Sequence, residues 1–195
     1  MRFPALPTIL LIACAIAALP ARAGAQASDP DTTRVQVNTN LGSFVIQLDA
    51  ERAPLTVANF LQYVREGYYR GTIFHRVIGN FIAQTGGYDT NFTAKSRRPT
   101  IPNESGNGLS NRRGTVGLAR TGAPHGGDAE FFINLADNAP LDPQPSRWGY
   151  VVFGVIVEGM RVVDEIGAVA TGPGGPFPSD VPLKPIVIEN IEELR

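Results

Sequence analysis

A series of short, alternating apolar runs constrains the fold of this 195-residue chain more than any other feature. These strand-like runs cover residues 33–38, 43–48, 72–78, 81–85, 115–120, 130–135, 150–157 and 184–191. Helical spacing occurs only twice, so the strands do not alternate with helices as they do in parallel βαβ folds. The pattern predicts a mainly β protein, an eight-stranded closed antiparallel barrel capped by two α-helices.

The first predicted helix begins at Ala53-Pro54, with proline near the first helical position, and ends before Gly67. Its apolar residues follow the i, i+3, i+4, i+7 pattern of a helix packed on a sheet, namely Val57, Phe60, Leu61 and Val64. A second helix is predicted over 160–169, carrying Val162, Val163 and Ile166.

Three Gly- or Pro-rich stretches, 86–113, 121–129 and 171–182, are predicted to be loops. The first is long for a connection inside one domain, and such connections are usually functional or packed loops.

The first 27 residues have the pattern of a cleaved secretory signal. Arg2 supplies a positive start, an apolar run follows over 9–19, and Ala-x-Ala sites lie at 21–23 and 25–27. We expect cleavage after Ala27, which leaves residues 28–195 as one domain in a periplasmic or secreted protein.

An alternative for the leader is lipid attachment, because Leu11-Ile12-Ala13-Cys14 resembles the box before a lipid-modified bacterial cysteine. Few apolar residues precede Cys14 and many follow it, so cleavage after Ala27 is the preferred interpretation.

The mature chain would carry 15 basic and 18 acidic residues, a net charge of −3, because Arg2 and Arg22 are the only charges in the leader. This balance argues against nucleic acid or an anionic membrane as partner. Cys14 is the only cysteine and His75 and His125 the only histidines, so neither a disulfide nor a His/Cys metal site is expected. We expect His75 to be a packed structural residue and His125 a solvated loop residue.

Arg76 is placed unusually, among apolar residues beside the Gly79-Asn80 turn. Strand alternation over 72–78 predicts that Phe74, Arg76 and Ile78 share one face. A guanidinium among apolar neighbours, with no acid adjacent in sequence, needs a partner elsewhere or a functional role.

The stretch around Arg76 resembles the signature of cyclophilins, the peptidyl-prolyl cis–trans isomerases. The resemblance rests on 68–78 (Tyr-Tyr-Arg-Gly-Thr-Ile-Phe-His-Arg-Val-Ile) and 81–84 (Phe-Ile-Ala-Gln), and it continues in order at 103–104, 107–109, 113–115, 118–121, 131–134, 141–142 and 152–154. It covers nearly the whole mature chain and is greatest to exported bacterial members.

The resemblance implies an eight-stranded barrel with a substrate groove on its outer surface, and a role for each matching residue. Arg76 would be the catalytic arginine. The proline pocket would be formed by Phe81, Ile82, Phe132 and Leu141. Other groove residues, some binding the peptide backbone, would be Gln84, Ala119, Arg120, Thr121, Glu130 and Tyr150.

The implied reaction is rotation about an X–Pro bond, which breaks no bond, so no nucleophile, metal or cofactor is expected. The implied partners are proline-containing peptides and unfolded or folding proteins, and the resemblance suggests a monomer.

Four positions depart from the family pattern, and at two of them, Ile82 and Thr85, which replace a common Met and Gly, the change is one of shape more than of chemistry. Glu130 replaces a usual Gln, and a carboxylate can only accept hydrogen bonds. It is hypothesised to pair with Arg76, either orienting the guanidinium or competing with substrate. If it neutralises Arg76, the protein would be a non-catalytic peptide-binding or chaperone module. Pro140 replaces the Trp of cyclosporin-sensitive members, which predicts weak cyclosporin binding; whether Trp148 reaches the groove is left open.

Overall fold

Ten β-strands, two α-helices and a one-turn 3₁₀ helix make up the part of the chain that the computed structural model describes, Met1 and residues 33–194. In chain order the elements are β1 (Arg34–Thr39), β2 (Gly42–Leu48), α1 (Pro54–Arg65), β3 (Arg76–Ile78), β4 (Ile82–Thr85), β5 (Thr115–Arg120), β6 (Gly127–Asn134), the 3₁₀ helix (Ala139–Leu141), β7 (Val152–Glu158), α2 (Met160–Gly167), β8 (Thr171–Gly174), β9 (Phe177–Pro182) and β10 (Ile188–Leu194). The mainly β architecture with two α-helices is confirmed. Apart from Met1, the predicted leader, with Cys14, lies outside the described residues.

Eight of these strands form one sheet in the order β10-β1-β2-β7-β5-β6-β4-β3, with every neighbouring pair antiparallel. The predicted alternation is clearest in β1. In this strand, Val35 and Val37 are fully buried, while their neighbours are partly exposed.

The prediction of a closed barrel is not confirmed, because the sheet is curled but open. Its terminal strands, β3 and β10, form no ladder with each other among the described residues. The segment before β3 instead contacts residues 186–188 at the start of β10, where Gly71 N donates to Ile188 O over 2.8 Å and Phe74 N donates to Ile186 O over 2.9 Å. These contacts include one isolated bridge, between Ile73 and Val187, and no ladder, so the sheet is not continuously closed.

The inner side of the sheet and the buried face of α1 form the main core. All four residues of the predicted helical pattern, Val57, Phe60, Leu61 and Val64, are buried there. Phe60 lies edge-on to Phe131 of β6, with ring centroids 5.4 Å apart. The predicted amphipathic helix is therefore confirmed.

The N-terminus of α1 is capped by a residue distant in sequence. Ala53 supplies no side-chain cap, and the Glu104 carboxylate accepts hydrogen bonds from Leu55 N (3.1 Å) and Thr56 N (2.8 Å). These amides have no partner within the helix, so Glu104 both satisfies them and complements the positive end of the helix dipole. The loop over 86–113 is thereby held to the helix.

The second helix, α2, buries Val162, Val163 and Ile166 as predicted, but it ends at Gly167 and not at residue 169. It packs near β2, β3 and β4.

The predicted strand over 72–78 is interrupted, which corrects the expected alternation. Only 76–78 belong to a ladder, while Thr72 and Ile73 form isolated bridges. Because residues 74 and 75 lie outside the pairing, Phe74 turns into the core together with Val77, and it does not share a face with Arg76.

The predicted loop over 171–182 is instead a two-stranded hairpin, β8–β9. Gly175 adopts a φ of +51°, which permits the turn, and its missing side chain leaves room for the Phe92 ring. Phe177 then stacks on His75, with ring centroids 5.4 Å apart. The Gly- and Pro-rich composition predicted a loop because composition carries no information about the contact between Phe177 and His75.

Among the described residues, no helix is long and apolar enough to cross a membrane.

Candidate active site

Four residues form a row across the outer face of the sheet. Arg76 of β3 lies opposite Gln84 of β4, Gln84 opposite Phe132 of β6, and Phe132 opposite Gly117 of β5. The residues that alternate with them face the main core, so the row faces away from it. Antiparallel pairing therefore brings together residues that are up to 56 positions apart in sequence.

An apolar cluster, separate from the main core, lies on the same outer face. Its buried members are Ile82, Ala119 and Phe132, and Phe81, Leu141 and Tyr150 pack against them. We call these six residues the outer apolar cluster. The Phe132 and Tyr150 rings meet edge to face at 5.8 Å. All four residues predicted to form the proline pocket belong to it.

Gly117 makes room for this cluster. A Cβ atom built at Gly117 would lie 2.8 Å from two ring carbons of Phe132 and closer still to a third. The Phe132 ring therefore rests directly on the backbone of β5, and the absence of a side chain at this position sets the depth of the cluster.

Arg76 is partly exposed at the β3 end of the row and hydrogen-bonds weakly to Gln84, with Nη1 3.4 Å from Oε1. Within residues 33–194, no carboxylate lies within 4 Å of its guanidinium. Its remaining N–H groups are thus not engaged by an ion pair in this part of the chain.

The hypothesis that Glu130 pairs with Arg76 is wrong. Glu130 forms an ion pair with Arg97, and it accepts a hydrogen bond from Gln84 Nε2 over 2.6 Å. Its Oε2 also lies 3.4 Å from His75 Nε2. Glu130 reaches Arg76 only through Gln84, so the premise of the non-catalytic alternative does not hold.

The environment of Glu130 stabilises its charged form. Burial alone raises the pKa of a carboxyl group, but the contacts with His75, Arg97 and Gln84 outweigh that effect and lower the pKa of Glu130 below its usual value. The two carboxylates beside Arg97, those of Glu130 and Asp128, raise the pKa of its guanidinium despite the opposing effect of burial.

Sequence reasoning did not single out Arg97. It lies in the long loop 33 residues before Glu130, outside any strand, and nothing in the local sequence distinguishes it from Arg98, which pairs with Glu66 at the surface. The ion pair could be found only once the path of the loop was known.

Arg120 and Thr121 lie next to Ala119 of the outer apolar cluster. The Arg120 guanidinium is hydrogen-bonded to backbone carbonyl groups of neighbouring loops. It donates to the carbonyl oxygens of Trp148 (2.9 Å), Thr121 (3.1 Å) and Gly149 (3.2 Å), and it lies 4.6 Å from the centre of the Tyr150 ring. These contacts hold Tyr150 and the neighbouring loops in place.

A small recess lies next to Gln84 of the row. Its volume is about 90 Å³, and Gln84, Ala119, Thr121 and Glu130 are among its lining residues. A larger cleft of about 780 Å³ lies elsewhere, lined by residues such as Gln47, Asp49 and Val155, and it contains none of the predicted site residues. Volume alone therefore does not locate the site.

The two histidines differ in their surroundings. His75 is buried between Tyr88 and Phe177, which confirms its expected structural packing. His125 is exposed but not merely solvated, because its Nδ1 accepts a hydrogen bond from Asn103 N over 3.0 Å. Trp148, about half exposed, packs edge-on against His125 and is not a member of the outer apolar cluster.

Two polar contacts position the apolar residues. Asn138 Nδ2 donates to Phe81 O over 2.9 Å, and the Asp142 carboxylate accepts from Asn111 N over 2.7 Å. Together they fix the 3₁₀ helix that carries Leu141. Within residues 33–194, no group of three His, Cys, Asp or Glu side chains is arranged to hold a metal ion.

The row and the outer apolar cluster lie on the same face of a curled antiparallel sheet, and comparison with known proteins identifies the family. The family model for cyclophilin type peptidyl-prolyl cis-trans isomerases matches residues 34–193. The chain is 44% identical to peptidyl-prolyl cis-trans isomerase A of Dickeya dadantii, over 84% of this chain and 86% of that protein. It is 48% identical to peptidyl-prolyl cis-trans isomerase B of Escherichia coli, over 80% and 97% of the two chains.

A crystal structure of a cyclophilin type isomerase from Cryptosporidium parvum is also similar. It has a TM-score of 0.69 at 25% identity, covering 84% of this chain and 98% of that one. A second structure of the same protein was determined in the presence of the dipeptide Ala-Pro, with a TM-score of 0.68. The chain belongs to the cyclophilin family and is a peptidyl-prolyl cis-trans isomerase.

Proposed function

We propose that this isomerase acts on X–Pro bonds of exported proteins as they fold, using the groove formed by the outer apolar cluster, Gln84 and Arg76. The outer apolar cluster would hold the proline ring, and Arg76 would contact the amide that rotates. Proline-containing peptides and unfolded chains are the proposed partners, and the proposed working form is a monomer.

The chemistry requires only electrostatic stabilisation of a twisted amide. Resonance opposes rotation by about 18–20 kcal/mol, and rotation in water takes roughly 10–100 s. As the amide twists, its nitrogen becomes pyramidal, and the nitrogen lone pair is no longer delocalised into the carbonyl group and can accept a hydrogen bond. A guanidinium that donates to the carbonyl oxygen and to that nitrogen binds the twisted state more tightly than the planar one.

The apolar cluster contributes by excluding water from these contacts. The buried Phe132 ring and the partly buried Tyr150 ring lower the local dielectric constant, which strengthens hydrogen bonds from Arg76. A rate enhancement of roughly 10⁴–10⁵ needs only about 5–7 kcal/mol, which is within reach of such contacts.

One observation carries this proposal: Arg76 lies in the same cross-strand row as Phe132 of the outer apolar cluster, with Gln84 between them, and no carboxylate lies within 4 Å of its guanidinium among residues 33–194. A structural arginine in such a place would be paired, as Arg97 is.

The test is a protease-coupled isomerisation assay on an X–Pro peptide. Arg76→Ala is expected to lower kcat/KM by about 10²–10³-fold, the usual cost of removing a donor from a transition-state site. Arg161→Ala is the matched control, since Arg161 pairs with Glu165 on the surface of α2, away from the groove. Full activity in Arg76→Ala would refute the proposed role of Arg76.

The proposed location is the periplasm or the exterior, and it rests on the sequence of residues 1–27. Expression of the full chain in a Gram-negative host, followed by fractionation and mass spectrometry, should give a periplasmic protein that begins at Ser28. A species that begins at Cys14 and carries lipid would support the alternative. An uncleaved cytoplasmic protein would contradict export.

A further inference from the structure

The Glu130 carboxylate is shared by three donors. Its Oε2 accepts from Gln84 Nε2 over 2.6 Å and lies 3.4 Å from His75 Nε2, while its Oε1 accepts from Arg97 Nη2. Only 12% of its side chain is exposed. Each oxygen of this buried carboxylate therefore has its own partners: Oε2 contacts Gln84 and His75, and Oε1 contacts Arg97.

Gln84 lies between Glu130 and Arg76, and its orientation matters because a side-chain amide can rotate by half a turn. Arg76 can only donate hydrogen bonds, and ionised Glu130 can only accept them. Both neighbours require the same orientation, with Oε1 towards Arg76 and Nε2 towards Glu130. Glu130 thus keeps an acceptor facing the guanidinium.

A glutamine at position 130 could not do the same beside Arg97. It has one acceptor oxygen, and if that oxygen faced Gln84, its NH₂ group would face the Arg97 guanidinium, donor against donor. If the oxygen faced Arg97 instead, its NH₂ group would face the Nε2 of Gln84. Gln84 would then have to turn, placing its own NH₂ group against Arg76.

The surroundings hold Glu130 in this position. A Cβ atom at Gly87 would overlap the Glu130 carboxyl group, so the backbone at Gly87 packs directly against it. On the other side, His75 is fixed between Tyr88 and Phe177, with ring centroids at 4.9 and 5.4 Å.

We propose that Glu130 is a positioning residue for the isomerase, and that it sets the orientation of Arg76 through Gln84, with Arg97 as its fixed counter-charge. The inference rests on the proposed role of Arg76. The proposal explains why position 130 carries a carboxylate. The usual Gln would leave an NH₂ group facing the guanidinium of either Arg97 or Arg76.

The test is a double-mutant cycle on positions 97 and 130. Glu130→Gln in the wild-type background is expected to lower kcat by about tenfold, a change in barrier of about 1.4 kcal/mol, with KM changed less than kcat. In an Arg97→Met background the amide oxygen is free to face Gln84, so the same Glu130→Gln change is expected to alter kcat less than about twofold. The Gln84 side-chain NH₂ signals in ¹H–¹⁵N spectra should shift in Glu130→Gln and return towards the Arg97→Met position in the double variant.

Glu66→Gln is the matched control, because Glu66 pairs with Arg98, the neighbour of Arg97, at the surface and outside the groove. It should leave kcat unchanged. Wild-type kcat in Glu130→Gln would overturn the proposal, and so would an equal loss of kcat in both Arg97 backgrounds, which would indicate a general structural role. Arg76→Ala is measured in parallel: if that variant is fully active, the proposed function fails, whereas if it is inactive the cycle tests Glu130 alone.

Discussion

Gly117 offers the most direct way to test how the groove is built. Its φ lies outside the left-handed region, so an alanine is not strained by backbone conformation there. The new Cβ, however, would lie 2.8 Å from Cε1 and Cε2 of Phe132 and closer to Cζ. Contacts this short cannot persist, and the ring, which is buried and anchored against Tyr150, must move outward into the groove.

The magnitude follows from two opposing effects. Overpacking of this kind costs about 1–3 kcal/mol. Replacing glycine by alanine also restricts the unfolded chain, which stabilises the protein by about 0.4–1 kcal/mol. We therefore expect Gly117→Ala to lower the free energy of unfolding by about 1–2 kcal/mol, which for a domain of this size lowers Tm by roughly 2–8 °C.

The assays are urea unfolding followed by Trp148 fluorescence, and isomerisation of an X–Pro peptide. Gly106→Ala is the matched control, since a Cβ there meets nothing within 4 Å and φ is not positive. Its unfolding free energy should stay within about 0.5 kcal/mol of wild type. In Gly117→Ala, kcat/KM should also fall, because the displaced ring fills the space for proline. The reasoning is refuted if Gly117→Ala is as stable and as active as Gly106→Ala.

Three further predictions concern other parts of the molecule. Glu104→Ala removes the remote cap of α1 and should lower the unfolding free energy by about 0.5–2 kcal/mol while isomerase activity is retained, as measured by urea unfolding and the peptide assay; an unchanged unfolding free energy would contradict the capping role. Because the pKa of Glu130 is lowered on folding, its charged form contributes stability that is fully present above the ordinary glutamate value of about 4.3 and is lost as the pH falls through the lowered value. Urea unfolding between pH 5 and 3 should therefore show a steeper loss of stability in wild type than in Glu130→Gln, and parallel curves would contradict this. Cyclosporin should bind weakly, because Pro140 in the 3₁₀ helix replaces the Trp of sensitive members, and nanomolar inhibition of the pure protein would refute this prediction.

Local patterns predicted much of the fold. The spacing of Val57, Phe60, Leu61 and Val64 indicated the buried face of α1, because helical periodicity depends only on residues close together in sequence. The family resemblance indicated the residues of the proline pocket, and the structure brings Phe81, Ile82, Phe132 and Leu141 together in the outer apolar cluster.

The same patterns failed where pairing or packing overrode them. Residues 72–78 alternate as one strand would, yet the ladder begins only at Arg76 and Phe74 turns into the core. The stretch 171–182 has the composition of a loop, yet Phe177 anchors it as a hairpin against His75. In both cases contacts with distant residues outweighed local propensity.

The sequence by itself determined a mainly β isomerase of the cyclophilin family and marked Arg76 as a charge that requires a role. Only the tertiary structure decided which charge Glu130 meets. The sequence suggested Arg76 as the partner, whereas the path of the 86–113 loop places Arg97 against the carboxylate and leaves Arg76 hydrogen-bonded to Gln84. Partner choice among like charges depends on the positions of whole segments in space, and local sequence does not encode those positions.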